Sequence, residues 1–340
     1  MTVTRFLSDN TASICPEIMS ALLAANCGQV HSYGDDEWSQ RLDAAFSRHF
    51  EHEVRAFAVS TGTAANALSL ATITPPYGAV LTPRGSHILD DECGACEFYS
   101  GGARLTPVAA EDGLMTPQAL LQTLRSHPAS VHTVQPAALS ITQASECGTV
   151  YTPVQIRALA DIGSESGMRL HMDGARFACA VAHLDVHPAD VTWRAGVDVL
   201  SFGATKNGAL AAEAVVFFDP KLAADFELRR KRAGHLISKH RFIAAQLLAY
   251  LEDDVWLRNA QRTIGLAARV AAAAGARALF PVQANAVFMR LSIVEELALR
   301  TAGFEFHAWG GEGTRDFRFV VSWDQAESDV AGLCAALSST

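Results

Sequence analysis

The sequence feature that most limits the possible folds is a series of short, continuously apolar segments that alternate with helical patterns. These segments are VRAFAVS (54–60), AVLTP (79–83), ARLTPV (103–108), AALSIT (137–142), RLHMD (169–173), VDVLSF (197–202) and EAVVFFD (213–219). Strands that are apolar on both faces and separated by helices are typical of a mostly parallel sheet covered on both sides. The sequence therefore predicts a large α/β domain.

The pattern changes in the last third of the chain. From about residue 221 it predicts long helices, and the later segments NAVFMRLS, FEFHAWG and DFRFVVSW alternate with two short helices. Antiparallel strands with helices on one side form an α+β unit. We expect an N-terminal arm and a large domain over residues 1–250, followed by a small α+β domain over residues 251–340.

Charge and composition exclude several classes of partner. The formal net charge is −9 and RRKR (229–232) is the one basic cluster, so nucleic acid is not an expected partner. The N-terminus has neither a basic region nor an apolar stretch of the secretory type, and no uncharged apolar run approaches the length of a membrane span. Seven scattered cysteines favour a reducing compartment. We expect a cytoplasmic protein without a membrane partner; the sequence assigns no metal-binding residues and leaves metal dependence open.

Lys206 stands out because it follows a predicted strand and lies in a run of small, uncharged residues, SFGATKNGAL (201–210). None of its sequence neighbours can neutralise its charge. Burial lowers a lysine pKa by up to about 3–5 units, which would make the amine a nucleophile toward a carbonyl. Gly203 and Gly208 on either side would leave room for a bulky planar adduct. The alternative is an ordinary lysine on an exposed loop.

The segment HMDGAR (171–176) places Asp173 at the end of a predicted buried strand and Arg176 three residues later. Ligands of open α/β sheets bind at the carboxyl ends of the strands, so this aspartate is in a functional position. A buried carboxylate needs a partner. The alternative is a structural ion pair between Asp173 and Arg176.

Two further signals follow predicted strands. Thr61-Gly62-Thr63 lies between a strand and a helix, where hydroxyls and free backbone N–H groups suit a phosphate, although a plain helix cap has the same residues. His87, in RGSHILDDE, could stack on an aromatic ring or transfer protons near neutral pH, although lone histidines are often structural. A phosphate site, a carboxylate for a pyridine nitrogen, an imidazole and a lysine reactive toward an aldehyde together indicate a pyridoxal phosphate site.

Four segments carry a resemblance to a known family over nearly the whole chain. FLSDNTASICPEIMSAL, SYGDDEW, HMDGARF and RFVVSWD resemble the low-specificity L-threonine aldolases, which are pyridoxal-phosphate enzymes of the aspartate-aminotransferase fold, fold type I. The chain departs from many relatives at Thr61, where they have serine, and in ITQASE (141–146), where they have Glu-Asn-Thr-His. GATKNG around the lysine is typical of one bacterial branch.

The resemblance implies roles for individual residues. The implied cofactor site consists of Thr61, Gly62, Thr63, His87, Asp173, Arg176, Thr205, Lys206 and Lys239. The implied substrate site consists of Ser8, Tyr33, Arg176 and Arg318. Lys206 binds the cofactor aldehyde covalently, Asp173 pairs with the ring nitrogen, and His87 stacks on the ring. His87 or His132 is the general base, and Lys239 reaches a phosphate across a subunit interface.

The resemblance also implies an activity and an assembly. The expected reaction cleaves L-threonine, L-allo-threonine and related substrates such as L-phenylserine to glycine and an aldehyde. The expected assembly is a homotetramer, a dimer of dimers with shared active sites. Another pyridoxal-phosphate lyase that catalyses β-elimination, or an aminotransferase, is the alternative within the same fold. A degenerate scaffold that binds cofactor without turnover is disfavoured because Lys206, Asp173 and Arg176 are intact.

Overall fold

A computed structural model describes residues 3–311 and 313–339. The strands are β1 (Thr4–Arg5), β2 (Arg55–Val59), β3 (Gly78–Pro83), β4 (Arg104–Val108), β5 (Ala110–Glu111), β6 (Leu114–Met115), β7 (Gln135–Thr142), β8 (Arg169–Gly174), β9 (Val199–Gly203), β10 (Glu213–Phe217), β11 (Ala286–Arg290), β12 (Phe304–Glu305), β13 (His307–Trp309) and β14 (Asp316–Val320). The α-helices are α1 (Pro16–Ala25), α2 (Glu37–Gln40), α3 (Leu42–Phe50), α4 (Gly62–Ile73), α5 (His87–Asp90), α6 (Ala95–Ser100), α7 (Pro117–Arg125), α8 (Pro153–Glu165), α9 (Phe177–Leu184), α10 (Phe226–Arg232), α11 (Arg241–Leu251), α12 (Val255–Ala274), α13 (Ile293–Thr301) and α14 (Glu327–Ser339).

The large domain is built on a seven-stranded sheet in the order β2-β10-β9-β8-β7-β3-β4. The seven apolar segments of the sequence form these strands, so the predicted mostly parallel α/β sheet is confirmed. Only β10 runs against its two neighbours in this sheet. Its first residue, Glu213, therefore lies at the same edge as the carboxyl ends of β2 and β9, opposite Val59 and Gly203.

Both faces of this sheet are covered, as the continuous apolar pattern requires. Side chains alternate along β2, so that Ala56 and Ala58 belong to one core and Phe57 and Val59 to the other. The first core holds an aromatic cluster, Phe46, Phe50, Phe177, Phe202 and Trp256, supplied by α3, α9, α12 and β9. The second core lies under α4 and α10. Layers on both faces hold the sheet, and with it the strand ends, in fixed positions.

The small domain contains a three-stranded antiparallel sheet, β11-β14-β13, with α13 and α14 against it. Its core takes Phe6 from the N-terminal arm, and β1 pairs with β12 of this domain. Helix α12 contributes Trp256 to the large core and Leu266 to the small one. The predicted α+β unit is therefore present, while the boundary near residue 250 stays a prediction because one helix serves both cores.

Two predicted helical stretches are interrupted. The run after residue 221 is not continuous, because α10 ends before Gly234, whose φ of +80° suits glycine, and α11 starts only at Arg241. His235 in the intervening segment hydrogen-bonds through Nδ1 to the Ser60 hydroxyl at 3.0 Å. The sequence after AVLTP (79–83) also predicts a helix near residues 89–100, and the structure divides this stretch into α5 and α6. Of the helices in the described ranges, none has the length and apolar character needed to cross a membrane.

Candidate active site

A cavity of about 290 Å³ opens at the sheet edge where β2, β8 and β9 end and β10 begins. Eight of the residues predicted from the sequence line it together: Thr61, Gly62, Thr63, His87, Asp173, Arg176, Thr205 and Lys206. They come from positions more than a hundred residues apart in the sequence. The parallel sheet brings them together because each follows, or ends, a strand with the same direction.

Hydrogen bonds to Asn207, the residue after Lys206, hold the lysine turn against the helices that pack beside it. The Asn207 side chain donates to the Tyr250 hydroxyl at 2.6 Å and to the Trp256 carbonyl at 2.8 Å, and Asn259 donates to the Asn207 carbonyl at 2.9 Å. Gly208 has a φ of +116°, and a Cβ there would lie 2.9 Å from the Asn259 amide. The lysine backbone therefore cannot shift without breaking contacts with α12.

Gly203 and Gly208, on either side of Lys206, have a structural role that differs from the one expected. A Cβ at Gly203 would lie 2.6 Å from the Ala175 carbonyl oxygen, so this glycine allows the chain after β8 to approach the chain after β9. Gly208 allows close contact with Cys15 and Asn259. The expectation that these glycines leave room for a planar adduct is wrong, since both face protein atoms.

Lys206 faces the cavity rather than bulk solvent, so the exposed-loop alternative does not hold. Burial, followed by the positive charge of Arg176, lowers the pKa of its amine, while Asp9, Asp173 and Glu213 act in the opposite direction. No carboxylate lies within 4 Å of the amine in the described part of the chain. A larger fraction of the amine is therefore uncharged at neutral pH than for an exposed lysine.

Asp173 is buried and accepts two hydrogen bonds from uncharged donors. The Asn66 side chain donates to Oδ2 at 2.8 Å and the Ala175 N–H donates to Oδ1 at 2.9 Å. Arg176 does not pair with it: Arg176 Nε and Nη2 donate to the two Asp9 oxygens at 2.7 and 3.0 Å. The alternative of an Asp173–Arg176 ion pair is therefore wrong, and Asp173 keeps its charge available to a cation in the cavity.

Asp9 was not identified from the sequence, yet it orients Arg176. Burial alone would raise the pKa of Asp9, but the charges of Arg176 and Lys206 lower it below its usual range. Asn285 of the small domain also donates to Asp9 Oδ2, at 3.0 Å. Arg176 uses two of its three nitrogens on Asp9, which leaves Nη1 for another partner.

His87 is the first residue of α5, and its ring is fixed by a buried acid. Its Nδ1 lies 2.9 Å from Glu92 Oε1, and this hydrogen bond raises the pKa of the imidazole against the opposing effect of burial. Asn66 donates to the same Glu92 oxygen at 2.9 Å and so links Glu92 to Asp173. The backbone N–H of His87 donates to Glu146 Oε1 at 2.8 Å. With Nδ1 committed to Glu92, Nε2 is the nitrogen left for proton transfer.

Thr61 fits both interpretations given to its segment. Its hydroxyl accepts from the Ala64 N–H at 3.2 Å, as a helix cap does. The first N–H groups of α4, those of Gly62 and Thr63, have no acceptor within the helix, and they begin at the cavity. An anion at this helix start would meet those two N–H groups and the Thr63 hydroxyl.

Two predicted substrate residues lie next to the cavity. Ser8 caps the short 3-10 helix Asp9–Thr11, which brings Asp9 to Arg176 and Asn10 to the cavity. Arg318 in β14 packs over the Trp309 ring, and burial, then the charge of Arg176, lowers its pKa. The Arg318 Nε is buried and has no hydrogen-bond partner among the described residues. A guanidinium left without an acceptor beside Arg176 indicates a site for an anion.

Three other predicted residues lie outside this cavity. Tyr33 is exposed with a φ of +57°, and the Lys231 amine lies 4.1 Å from its ring centre. Lys239 is exposed in the turn before α11, next to Ser238, whose carbonyl accepts from the Tyr33 N–H at 3.1 Å. Both therefore lie on the surface formed by the segment after α10. Their roles stay predictions that require a second copy of the chain.

His132 requires a correction within the single chain. It is exposed on the loop that precedes β7, at the amino end of that strand, whereas the cavity lies at the carboxyl end. Eight residues of strand separate the two ends, which at the rise of a strand is roughly 20 Å. His132 cannot reach this chain's own cavity, so its predicted role depends on a neighbouring copy.

The polar residues of the site that sequence reasoning missed include Asp9, Asn66, Glu92, Glu146 and Glu213. A signal existed for two of them. Asn66 is the one amide in the small-residue helix TAANALS, and Glu213 is an acid that opens an apolar strand. For Glu92 the sequence offers Asp90, Asp91 and Glu92 as equal candidates after His87.

The residues present fit pyridoxal phosphate. The uncompensated Lys206 amine suits an aldehyde, and Asp173, which has no cationic partner, suits a protonated pyridine nitrogen. The open N–H groups at the start of α4 and the Thr205 hydroxyl suit a phosphate, and the His87 ring lines the space between. Each of these groups would be costly to bury without a partner of this chemistry.

Comparisons with known proteins agree with the geometry. The sequence model of the family named beta-eliminating lyase matches residues 5–293. The chain is 42% identical over 335 residues to a low specificity L-threonine aldolase of a Pseudomonas species, covering 97% of this chain and 96% of that protein. It is 44% identical over 324 residues to the low specificity L-threonine aldolase of Pseudomonas aeruginosa, covering 94% and 93%.

Solved structures share the fold. A threonine aldolase of Leishmania major superposes with a TM-score of 0.92 at 24% identity, covering 98% of both chains. An archaeal alanine:glyoxylate aminotransferase superposes with a TM-score of 0.73 at 13% identity, covering 100% of this chain and 90% of that one. At these identities the likeness shows the fold alone, which is that of fold type I.

Proposed function

The chain belongs to the beta-eliminating lyase family, and we propose that it is a pyridoxal-phosphate-dependent aldehyde-lyase. Its reaction is the aldol cleavage of L-threonine, L-allo-threonine and related L-β-hydroxy-α-amino acids, such as L-phenylserine, to glycine and an aldehyde. The relatives of 42 and 44% identity are both named low specificity L-threonine aldolase, which favours this reaction over others on the same fold.

The observation that carries the proposal is the joint position of Lys206 and Asp173 in one cavity. Asp173 lies near the end of β8 and Lys206 in the turn after the neighbouring parallel strand β9, and neither has an ion-pair partner within 4 Å among the described residues. When bound, the cofactor supplies an aldehyde carbon that bonds to amines and a ring that withdraws electrons from the substrate's α-carbon. Asp173 holds the proton at the ring nitrogen that makes this withdrawal effective, and Lys206 supplies the amine that the substrate replaces.

Two arginines orient the substrate. Arg318, with its unpartnered Nε, and Arg176, through Nη1, bind the carboxylate of the amino acid. Asp9 keeps the Arg176 guanidinium in a single orientation, so little side-chain freedom is lost when substrate binds. Holding the carboxylate fixes which bond of the α-carbon stands perpendicular to the cofactor ring, and this choice selects carbon–carbon cleavage.

His87 is the candidate general base. Glu92 holds its Nδ1 proton, which leaves Nε2 to take the proton from the substrate's β-hydroxyl. Removal of that proton opens the Cα–Cβ bond and releases the aldehyde. Because the pKa of His87 is raised, the imidazolium persists near neutral pH and can return this proton to the α-carbon, which completes glycine. We favour His87 over His132 within one chain because His87 lines the cavity.

Assembly and location form the finer part of the proposal. We propose a homotetramer of two tight dimers in which Tyr33, His132 or Lys239 of one copy completes the site of another. All three are exposed in the single chain, as such a role requires. We place the protein in the cytoplasm, a compartment in which the seven free cysteines stay reduced.

An aldehyde assay with L-threonine, L-allo-threonine and L-phenylserine tests the reaction. Release of acetaldehyde or benzaldehyde together with glycine supports the proposal. Ammonia with a keto acid would instead indicate β-elimination, and dependence on an added keto acid would indicate transamination. Either result without aldehyde would contradict the aldol reaction.

Lys206→Ala tests the covalent role directly. The variant lacks the amine, so turnover should fall to the uncatalysed level and the absorbance band of lysine-bound cofactor should disappear. Urea unfolding should show that the fold persists. An active variant that keeps this band would refute the assignment.

A further inference from the structure

Glu213 is a buried acid in the cavity that the reaction above does not use. It is the first residue of β10, lies between the ends of β2 and β9, and is 7% exposed. Ser60 and Thr61 follow β2 on one side, and Ala204 and Thr205 follow β9 on the other. Glu213 therefore separates the turn that begins α4 from the turn that carries Lys206.

The contacts of Glu213 are hydrogen bonds rather than ion pairs. Its Oε2 accepts from the Ala204 N–H at 3.1 Å, while the neighbouring Thr205 hydroxyl donates to the Ala212 carbonyl at 3.4 Å and accepts from the Ala212 N–H at 3.2 Å. Across the described ranges, no cation lies within 4 Å of it. The charged groups that face it are Lys206 and, on β8, Asp173. Across Ser60 lies His235, whose pKa is lowered by burial.

At this position, an ionised Glu213 carboxylate would be unfavourable once the cofactor is bound. The residues proposed to bind the cofactor phosphate, Thr61 to Thr63 on one side and Thr205 on the other, flank Glu213. A phosphate monoester is a dianion above a pH of about 6. Two negative groups at close range in a buried site repel each other strongly. A protonated carboxyl group would remove the repulsion and donate a hydrogen bond.

We infer that Glu213 is a neutral carboxylic acid beside the cofactor phosphate, so that cofactor binding takes up a proton at this residue. The inference rests on the proposed function, because it needs the phosphate in this cavity. Burial raises the pKa of Glu213 to about 7 without the cofactor, and the negative charge of a bound phosphate would raise it further. Below pH 7, Glu213 is protonated both with and without bound cofactor, so this residue does not make the cofactor affinity depend on pH. Above pH 7 the proton must be regained, so affinity falls by up to about tenfold per pH unit.

Isothermal titration of the apoenzyme with pyridoxine 5′-phosphate tests the inference. This analogue has the ring and the phosphate but no aldehyde, so Lys206 cannot bond to it. At pH 8, titrations in two buffers of different ionisation enthalpy give the number of protons taken up. The wild-type chain should take up more protons than Glu213→Gln, by up to one, and its dissociation constant should rise between pH 7 and pH 8.5 while that of the variant changes less.

Glu146→Gln is the matched control, since Glu146 is a second acid of the cavity but bonds to His87 rather than to the lysine turn. It should keep the wild-type proton uptake. The inference would be overturned if the wild type and Glu213→Gln took up equal numbers of protons. It would also be overturned if Glu213→Gln and Glu146→Gln lost the same amount of proton uptake. A Glu213→Gln chain that binds the analogue more weakly than wild type at pH 8 would overturn it as well, because the amide imitates the neutral acid.

Phosphorus-31 NMR of the holoenzyme gives a second measurement in which affinity has no part. Between pH 6.5 and pH 9, the signal of the bound cofactor should titrate in the wild type and stay flatter in Glu213→Gln. A wild-type chain that binds neither pyridoxine 5′-phosphate nor pyridoxal phosphate at Lys206 would refute the proposed function together with the inference. Normal binding without the Glu213-dependent proton would refute the inference alone.

Discussion

At the scale of single residues, the candidate site depends on a buried acid that holds the proposed catalytic side chains in place. Glu92 has no exposed side-chain surface and holds both His87 and Asn66, while Asn66 in turn holds Asp173. This chain of hydrogen bonds links the candidate base to the candidate partner of the ring nitrogen. A substitution of Glu92 should therefore change the protonation of His87 more than it changes cofactor binding.

Glu92→Gln should shift the pH dependence of kcat/KM. In the wild type, Glu92 raises the pKa of His87, so the neutral base forms only above its usual range and activity rises with pH through that raised value. Replacing the carboxylate by an amide removes the charged acceptor that raises this pKa, so the limb should move to lower pH. The maximal rate should also fall, because an uncharged amide oxygen accepts a weaker hydrogen bond from Nδ1–H and orients the ring less firmly.

The matched control for that experiment is Asp90→Asn. Asp90 is an exposed acid two residues earlier and makes no side-chain bond to His87. Its pH profile should equal that of the wild type. A Glu92→Gln enzyme whose profile is unchanged would show that His87 is not the titrating base.

Arg318→Ala should weaken substrate binding and leave the cofactor in place. Removing a charged hydrogen bond to the carboxylate costs about 1.5–3 kcal/mol, which raises KM roughly tenfold to a hundredfold. The absorbance band of lysine-bound cofactor should be unchanged. Arg290→Ala, which removes an exposed arginine paired with Asp316, is the control and should leave KM unaltered. Loss of cofactor from Arg318→Ala would contradict the assigned role.

Site residues could be predicted from the sequence where a chemically suitable side chain stands at the end of an apolar strand segment. Lys206 and Asp173 each stand at the end of an apolar segment, and the sheet brought both into the cavity. The partner of Arg176 was not predictable, because Asp9 lies 167 residues away while Asp173 is only three residues away in the sequence. Proximity along the chain favoured the wrong acid, since the arm folds back across the whole domain.

At the scale of elements, the sequence predicted strands better than helix ends. The seven central strands were visible because burial on both faces leaves an apolar pattern without interruption. The antiparallel direction of β10 leaves no such trace, since a buried strand is apolar whichever way it runs. The break between α10 and α11 was missed because helix-favouring residues continue on both sides of Gly234.

Gly208→Ala should destabilise the turn that carries Lys206. A side chain at a φ of +116° is strained by about 1–3 kcal/mol, and its Cβ would also lie 2.9 Å from Asn259 and 3.2 Å from Cys15. Gly28→Ala is the control, because Gly28 has a φ of +53° and open space where its Cβ would be. Urea unfolding should show the larger loss for Gly208→Ala, together with weaker cofactor binding. Equal losses would mean that close packing does not hold the turn.

At the scale of the whole molecule, the N-terminal arm connects the two cores across the active site. Phe6 packs in the small core, while Asp9 binds Arg176 of the large domain and Asn285 of the small one. Two domains were predictable from the change in pattern after residue 221. Their connection through the arm was not, because it depends on single contacts between distant segments.

Asp9→Asn should therefore destabilise both the molecule and its substrate site. Breaking a buried ion pair from one side leaves Arg176 charged and unpartnered, at a cost of about 3–5 kcal/mol in the free energy of unfolding. Asp324→Asn is the matched control for the same arm, because Asp324 of the small domain accepts from Ser13 of the arm near the surface, and its loss should cost only about 0.5–1.5 kcal/mol. Urea unfolding measures both changes. If the two variants lose equal stability, the arm is held by its surface contacts, and the buried pair exists only to orient Arg176 for the substrate.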